Sequence, residues 1–288
     1  MTNKALYIIA LFLIISPFLC AQHTYIIVPG TWASGFPTVH FFRAALRNSI
    51  FSGIEKYLPA SLQKRWYEPG GDFHEQFLAS IKKTDPDAQV EVFYWSGKKS
   101  VKYREEAGIH LAEMIKQKNG SVTLIGHSYG ATVGIIASQL LDKTSQKNTS
   151  GYKIKALYAL GGPVDEENYF PNMNSVESFY NLYSTGDAIH SMLSRSAMTY
   201  SNKNTRITNL SVFIEQNNRA PGHSELRYPW MAPVLLQIKE DNRDRFLSAQ
   251  YGIISVNERG RVAHKVDPDA ENFAVRAQWI SDQINNLA

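Results

Sequence analysis

A chain of 288 residues, 44% hydrophobic and 19% charged, can bury one large core and is too apolar for an intrinsically disordered protein. Its formal net charge is +4, with 30 basic residues scattered among 26 acidic ones. That balance excludes the clustered positive surface of a nucleic-acid binder: the nearest approach, Lys98, Lys99, Lys102 and Arg104, runs straight into Glu105 and Glu106 and reads as the solvated start of a helix.

Residues 1–21 are expected to be a signal peptide outside the fold. Lys4 supplies a positive n-region, residues 5–20 an apolar stretch short for a membrane span, and Ala21 a small residue for cleavage. The expectation is an exported protein, periplasmic or extracellular, with residues 22–288 as one domain. Cys20 is the only cysteine. Leu19 stands where a lipid-attachment site prefers a small residue, so lipid anchoring at Cys20 is disfavoured. Cleavage after residue 20 or 21 leaves no cysteine for a disulfide, and a core of this size can do without one.

The mature chain opens with a strand, Tyr25 to Val28, stopped by Pro29-Gly30. A helical region follows at residues 39–58 and a strand at 89–97. Residues 101–118 carry Ala107, Leu111, Met114 and Ile115 on one helical face, with Asn119-Gly120 as the stop. A strand at 121–125 leads into an apolar helix at about 129–142, and a loop at 146–151 precedes strands at 152–162, 176–187 and 209–216. Residues 252–266 suggest a hairpin around Asn257 to Gly260. Phe273, Ala277, Ile280, Ile284 and Leu287 form the apolar stripe of a last helix. Strands alternating with helices, several of them apolar on both faces, predict an α/β fold: a mostly parallel sheet of about six strands flanked by helices, with a C-terminal hairpin added.

The stretch SVTLIGHSYGATVGII, residues 121–136, puts Ser128 on the corner between a strand and a helix, with Gly126 and Gly130 two residues to either side. A turn this tight forces the serine into a strained backbone conformation and presents its Oγ at the C-terminal edge of the sheet. Side chains at 126 or 130 would crowd the turn. The N–H groups that open the next helix can face a developing negative charge. The plainer alternative is a serine N-cap in an ordinary strand-to-helix turn.

Gly126-His127-Ser128-Tyr129-Gly130 resembles the nucleophile elbow, G-x-S-x-G, of the α/β-hydrolase superfamily. The resemblance extends over most of the mature chain in element order. The first mature strand then corresponds to the family's third, as in the compact small bacterial lipases. The resemblance implies an oxyanion hole of two backbone N–H groups. One is that of Tyr129. The other belongs to the loop after the first strand, where Pro29-Gly30-Thr31-Trp32 stands in place of the His-Gly of many lipases; Thr31 is the expected donor and Trp32 the alternative. The chain order Ser, acid, His places the acid at Asp187, just past a strand, and the base at His223, in the Pro- and Gly-bearing loop beyond Ile214. Asp165 is the rival acid. His190 and His264 are weaker candidates for the base, and His127 is expected to point away and serve packing.

These residues imply a serine esterase or lipase working through a catalytic triad and an acyl-enzyme, with no cofactor and no metal. The substrate class is a small-molecule or lipid carboxylic ester, with room for a transient contact with a membrane surface and no role for nucleic acid. Trp32, Phe36, Phe41, Phe42 and Trp230 are candidates for an apolar acyl pocket or plain core. The alternatives are a thioesterase or amidase with the same triad, and a non-catalytic exported binding protein of the same fold.

Overall fold

Successive strand residues face opposite sides of the sheet, both sides are buried, and that alternation divides the core. The computed structural model describes residues 23–31, 67, 69, 71–145, 153–187, 189, 198–201, 204–214, 219–241, 251–256 and 262–266. Strand β1 (Thr24–Val28) sends Tyr25 and Ile27 to one face of the sheet and Ile26 and Val28 to the other. Helix α1 (Asp72–Thr84) and strand β2 (Gln89–Val92) follow, then α2 (Val101–Lys116), β3 (Val122–His127) and α3 (Tyr129–Ser145). Next come β4 (Ile154–Leu160), β5 (Val176–Tyr183), β6 (Ile207–Ile214) and a short 3-10 helix (His223–Arg227). Helix α4 (Met231–Asp241) and strands β7 (Tyr251–Val256) and β8 (Val262–Val266) complete the described elements.

The strands form one sheet in the order β2-β1-β3-β4-β5-β6-β7-β8. Neighbours from β2 to β7 pair in parallel, and β8 pairs antiparallel to β7. The expected hairpin strands are therefore β7 and β8, and β7 extends the parallel sheet. His223 accordingly follows β6, which is not the last parallel strand. Helices α1 and α4 cover the face that holds Tyr25, Tyr158, Tyr180 and Leu210, while α2 and α3 cover the face that holds Ile26, Leu124, Leu157 and Phe179. With helices on both faces of a largely parallel sheet, this is the α/β-hydrolase arrangement that the sequence predicts.

Three local readings change. Strand β2 stops at Val92; the Phe93 N–H still donates to Ile27 O at 2.9 Å, but the chain then leaves the edge and turns at Gly97, whose φ is +64°. Helix α1 was not anticipated, although Phe73, Phe77 and Ile81 recur at four-residue spacing and are fully buried. Strand β3 runs on to His127, so the first two residues of the glycine-flanked pentapeptide belong to the strand. The segment 1–21 with Cys20, the helical region 39–58, Trp32, Phe36, Phe41, Phe42, the turn 257–260 and the last helix lie outside the described residues.

Candidate active site

The chain reverses from β3 into α3 through a single residue, Ser128. Its φ is +54°, the one positive value among the described non-glycine residues. That left-handed conformation costs an L-residue about 1–3 kcal/mol and persists only where surrounding bonds fix it. Here the Ser128 N–H donates to Leu160 O at 2.9 Å, and the Ala131 N–H returns to Ser128 O at 3.0 Å. A Cβ on Gly126 would lie 2.5 Å from Ala131 Cα, and one on Gly130 would overlap the Val28 carbonyl oxygen outright. Both glycines are thus demanded by close backbone approach, as the motif requires.

The loop after β1 closes over this corner. A Cβ on Gly30 would sit 2.6 Å from His127 O and 2.8 Å from Ser128 Cβ. The indole N–H of Trp95 donates to Pro29 O at 2.6 Å and pins the loop from the β2 side. Thr31, buried, comes next in the chain. On the other side Tyr129 opens α3, where the first N–H groups have no partner within the helix. Its ring lies under the buried Arg104 guanidinium, 4.4 Å from carbon Cζ to the ring centroid. Arg104 is therefore part of the packed corner rather than of a solvated helix start. One expectation fails: Ser128 is not exposed at the sheet edge but only 4% accessible. The approach of Pro29-Gly30 to the turn accounts for part of that cover.

Asp187 and His223 meet across 36 residues. The imidazole Nδ1 lies 2.7 Å from Asp187 Oδ2. A carboxylate can only accept, so Nδ1 carries the proton and the neutral ring keeps its lone pair on Nε2, the state a general base needs. Asp187 is almost completely buried, and the His223 side chain is 9% accessible. Gly161, at the end of β4 with φ +57°, leaves space for the pair; a Cβ there would stand 3.1 Å from Asp187 Oδ2 and 3.3 Å from His223 Nδ1. The serine, acid and histidine thus follow the C-terminal ends of β3, β5 and β6, on one edge of the sheet.

The rivals are placed elsewhere. Asp165 accepts from the Asn168 N–H at 3.2 Å and from its side-chain amide at 3.0 Å, closing a turn after β4. His264 sits in β8 at the sheet's far margin, opposite Ile254. His190 lies outside the described residues. Trp230, half-buried, packs against the core on the α1 and α4 side.

Several supporting residues escaped the sequence reading. The Ser184 hydroxyl donates to Pro221 O and accepts from the Gly186 N–H at 3.1 Å, so it joins the Asp187 turn to the His223 loop. The Asp187 N–H donates to Ser184 O at 3.1 Å. Glu225 accepts from Arg219 at 2.6 and 2.7 Å and from the Gly222 N–H at 2.7 Å, bracing the residue just before His223. The Arg219 bond holds the Glu225 carboxyl below its ordinary range, against a smaller opposing effect of burial. The Ser184–Pro221 pairing has no local signature, because it depends on where the chain returns; the Glu225 bonds span only three and six residues.

His127 is the largest correction. It does not point away from the site. Its ring centroid is 4.8 Å from that of His223, and its Nε2 is 3.1 Å from His223 O. With β3 continuing through 127, its side chain shares a face with Ile125, on the side where Leu226 of the 3-10 helix is buried. Burial lowers the His127 pKa well below the usual imidazole range, and proximity to His223 and Arg227 lowers it further. Among the described residues no group of three His, Cys, Asp or Glu side chains is placed to hold a metal ion.

The sequence model of the Lipase (class 3) family matches residues 47–196. The match takes in the Gly126–Gly130 corner and Asp187, and it ends before His223. Among solved structures, a cutinase-like protein from Cryptococcus sp. is similar at 16% identity and TM-score 0.31, over 50% of this chain and 55% of that one. The chain thus spans about half the length of that protein. A protein described as a YdeN-like hydrolase from Pectobacterium atrosepticum is similar at 10% identity and TM-score 0.25, over 95% of this chain and 97% of that one. No curated protein matches the chain.

Proposed function

The chain belongs to the class 3 lipase family, and from that premise we propose that it hydrolyses carboxylic esters, lipids among them, with Ser128 as nucleophile, His223 as general base and Asp187 as the orienting acid. The observation that carries the reading is the 2.7 Å Asp187–His223 bond on the same sheet edge as the strained Ser128. Ser128 Oγ attacks the acyl carbon while His223 Nε2 takes its proton. The carbonyl oxygen, now an oxyanion, is held by the N–H groups of Tyr129 and Thr31. The intermediate collapses, the ester C–O bond breaks, and the alcohol leaves with the proton from His223. Water then attacks the acyl-enzyme, gives a proton to His223, and restores Ser128 as the acid departs.

A lipid substrate is supported by the same edge. Tyr94, Val101, Ile189 and Tyr228 are exposed on segments that follow β2, β5 and β6. Lys98, Lys99 and Lys102, also exposed, lie in the same stretch of sequence as Tyr94 and Val101. Apolar and basic groups together suit brief contact with an anionic lipid surface. The sequence supports an exported single-domain protein, with residues 22–288 as the mature chain. A series of p-nitrophenyl esters of rising acyl length tests the substrate class. Turnover that grows with chain length and exceeds that of matched thioesters and anilides is the expected result. Preference for the thioester or the amide would reassign the enzyme, and no turnover of any of them by the folded protein would remove the activity.

A further inference from the structure

Asp187 fixes the ring of His223, but a ring bond alone leaves the histidine's main chain free to slide along the loop. The main chain has its own anchor. A carbonyl can only accept, so the 3.1 Å contact between His127 Nε2 and His223 O is an N–H donation. This assigns the His127 tautomer: Nε2 carries the proton and Nδ1 does not. His127 is one peptide bond from Ser128, and His223 is 96 residues further along the chain. The bond therefore joins the corner that carries the nucleophile directly to the backbone of the base. The two rings, 4.8 Å apart and inclined at 51°, add a packing contact.

We propose that His127 is a positioning residue for the reaction: its imidazole sets the distance between Ser128 and His223 by holding the latter's carbonyl oxygen. The proposal rests on the reading of Ser128 and His223 as nucleophile and base. Neutrality matters because His223 must become positive when it takes the serine proton. A second imidazolium 4.8 Å away would oppose that step. Burial lowers the His127 pKa well below the usual imidazole range, and only 5% of the residue is accessible. The arrangement thus supplies a hydrogen bond without a competing charge.

Three variants and one spectrum test this. His127→Phe keeps a planar ring and removes the donor. It is expected to lower kcat and the rate of fluorophosphonate labelling together, by roughly ten- to a hundredfold, with KM little changed. His127→Gln restores an N–H at similar reach and is expected to recover most of both rates. His127→Leu, of lower polarity and different shape, should behave as His127→Phe. If the Phe variant folds and reacts at the wild-type rate, or if Gln is no better than Phe, the proposal is overturned. Imidazole 15N spectra of the wild-type protein give an answer independent of turnover, even if the variants fail to fold. Nε2 of residue 127 should remain protonated and Nδ1 unprotonated across about pH 5 to 8. A His127 that is protonated at Nδ1, or that takes up a second proton in that range, contradicts it. A wild-type enzyme that neither labels nor hydrolyses would overturn the underlying site reading instead, while the spectrum still reports on the His127 bond.

Discussion

Around Ser128 the chain is held by backbone meeting backbone; around His223 it is held by side-chain hydrogen bonds made across long stretches of sequence. In the first region the partners are neighbours in the chain or in the sheet: Gly126 against Ala131, Gly130 against the Val28 carbonyl, Ser128 on Leu160. In the second they are 36 and 37 residues apart, Asp187 with His223 and Ser184 with Pro221. Steric exclusion of this kind tolerates almost no change, because a clash with backbone has nowhere to go. Hydrogen bonds fail by degrees. The Ser128 corner is therefore expected to respond to substitution as all or nothing, and the His223 loop gradually.

The sharpest way to break that contrast is at Gly130. Gly130→Ala places a methyl group on the Val28 carbonyl oxygen. Overpacking against flexible side chains costs about 1–3 kcal/mol, and here the obstacle is backbone. The expected outcome is loss of soluble folded protein or a large fall in Tm. A Gly130→Ala protein with wild-type Tm would show that the corner is looser than described. Next is the acid. Asp187→Asn is expected to keep the fold and lower kcat by about four orders of magnitude, because an amide lets the imidazole settle in the wrong tautomer. Asp165→Asn should cost little activity, since Asp165 only closes a turn with Asn168. A matched kinetic comparison giving the reverse order would move the acid to the end of β4.

Ser184→Ala probes the gradual side. It removes the donor to Pro221 O and the acceptor for the Gly186 N–H. Leaving such buried groups unpaired costs about 1–3 kcal/mol. A moderate drop in Tm with a partial loss of kcat is expected; complete inactivity would mean that the loop is as intolerant as the corner. The smallest effect belongs to Glu225. Its lowered folded pKa means that its ionised form is favoured by folding. The stability it contributes is present above the ordinary carboxylate range and is lost as pH falls through the lowered value. Arg219 is well exposed, so solvent screens the pair and the contribution is small. Glu225→Gln should lower Tm slightly at neutral pH and flatten its fall in acid, read from Tm against pH; an unchanged acid slope would remove the clasp from the account.

The same contrast explains what the sequence made legible. Gly126, Ser128 and Gly130 announce themselves because the strain that demands them is local: five consecutive residues contain most of the geometry. The strands were readable for the same reason, with Tyr25 to Val28 and Ile154 to Leu160 apolar on both faces. Asp187 and His223 could be placed only by chain order. The bond of Ser184 to Pro221 and the contact of His127 with His223 were out of reach, because they depend on how the β6 loop folds back on the ends of β5 and β3, whereas Glu225 closes a short-range clasp with Arg219 and Gly222. With the strand ended at 125, the sequence left His127 pointing away; once β3 runs on to 127 it shares the face of Ile125, and nothing in sequence says that the residue 223 loop covers that face. The fate of β7 was hidden likewise: a hairpin pattern shows that two strands pair, and not that one of them extends a parallel sheet beside β6.

The central claim is that Ser128 is a nucleophile activated by the Asp187–His223 pair. Incubation with a fluorophosphonate, followed by intact-mass measurement and peptide mapping, tests it most directly. A single adduct is expected, on Ser128, absent in Ser128→Ala and formed several orders of magnitude more slowly in His223→Ala. A folded wild-type protein that takes no adduct, that takes it on another serine, or that labels equally fast without His223 would contradict it.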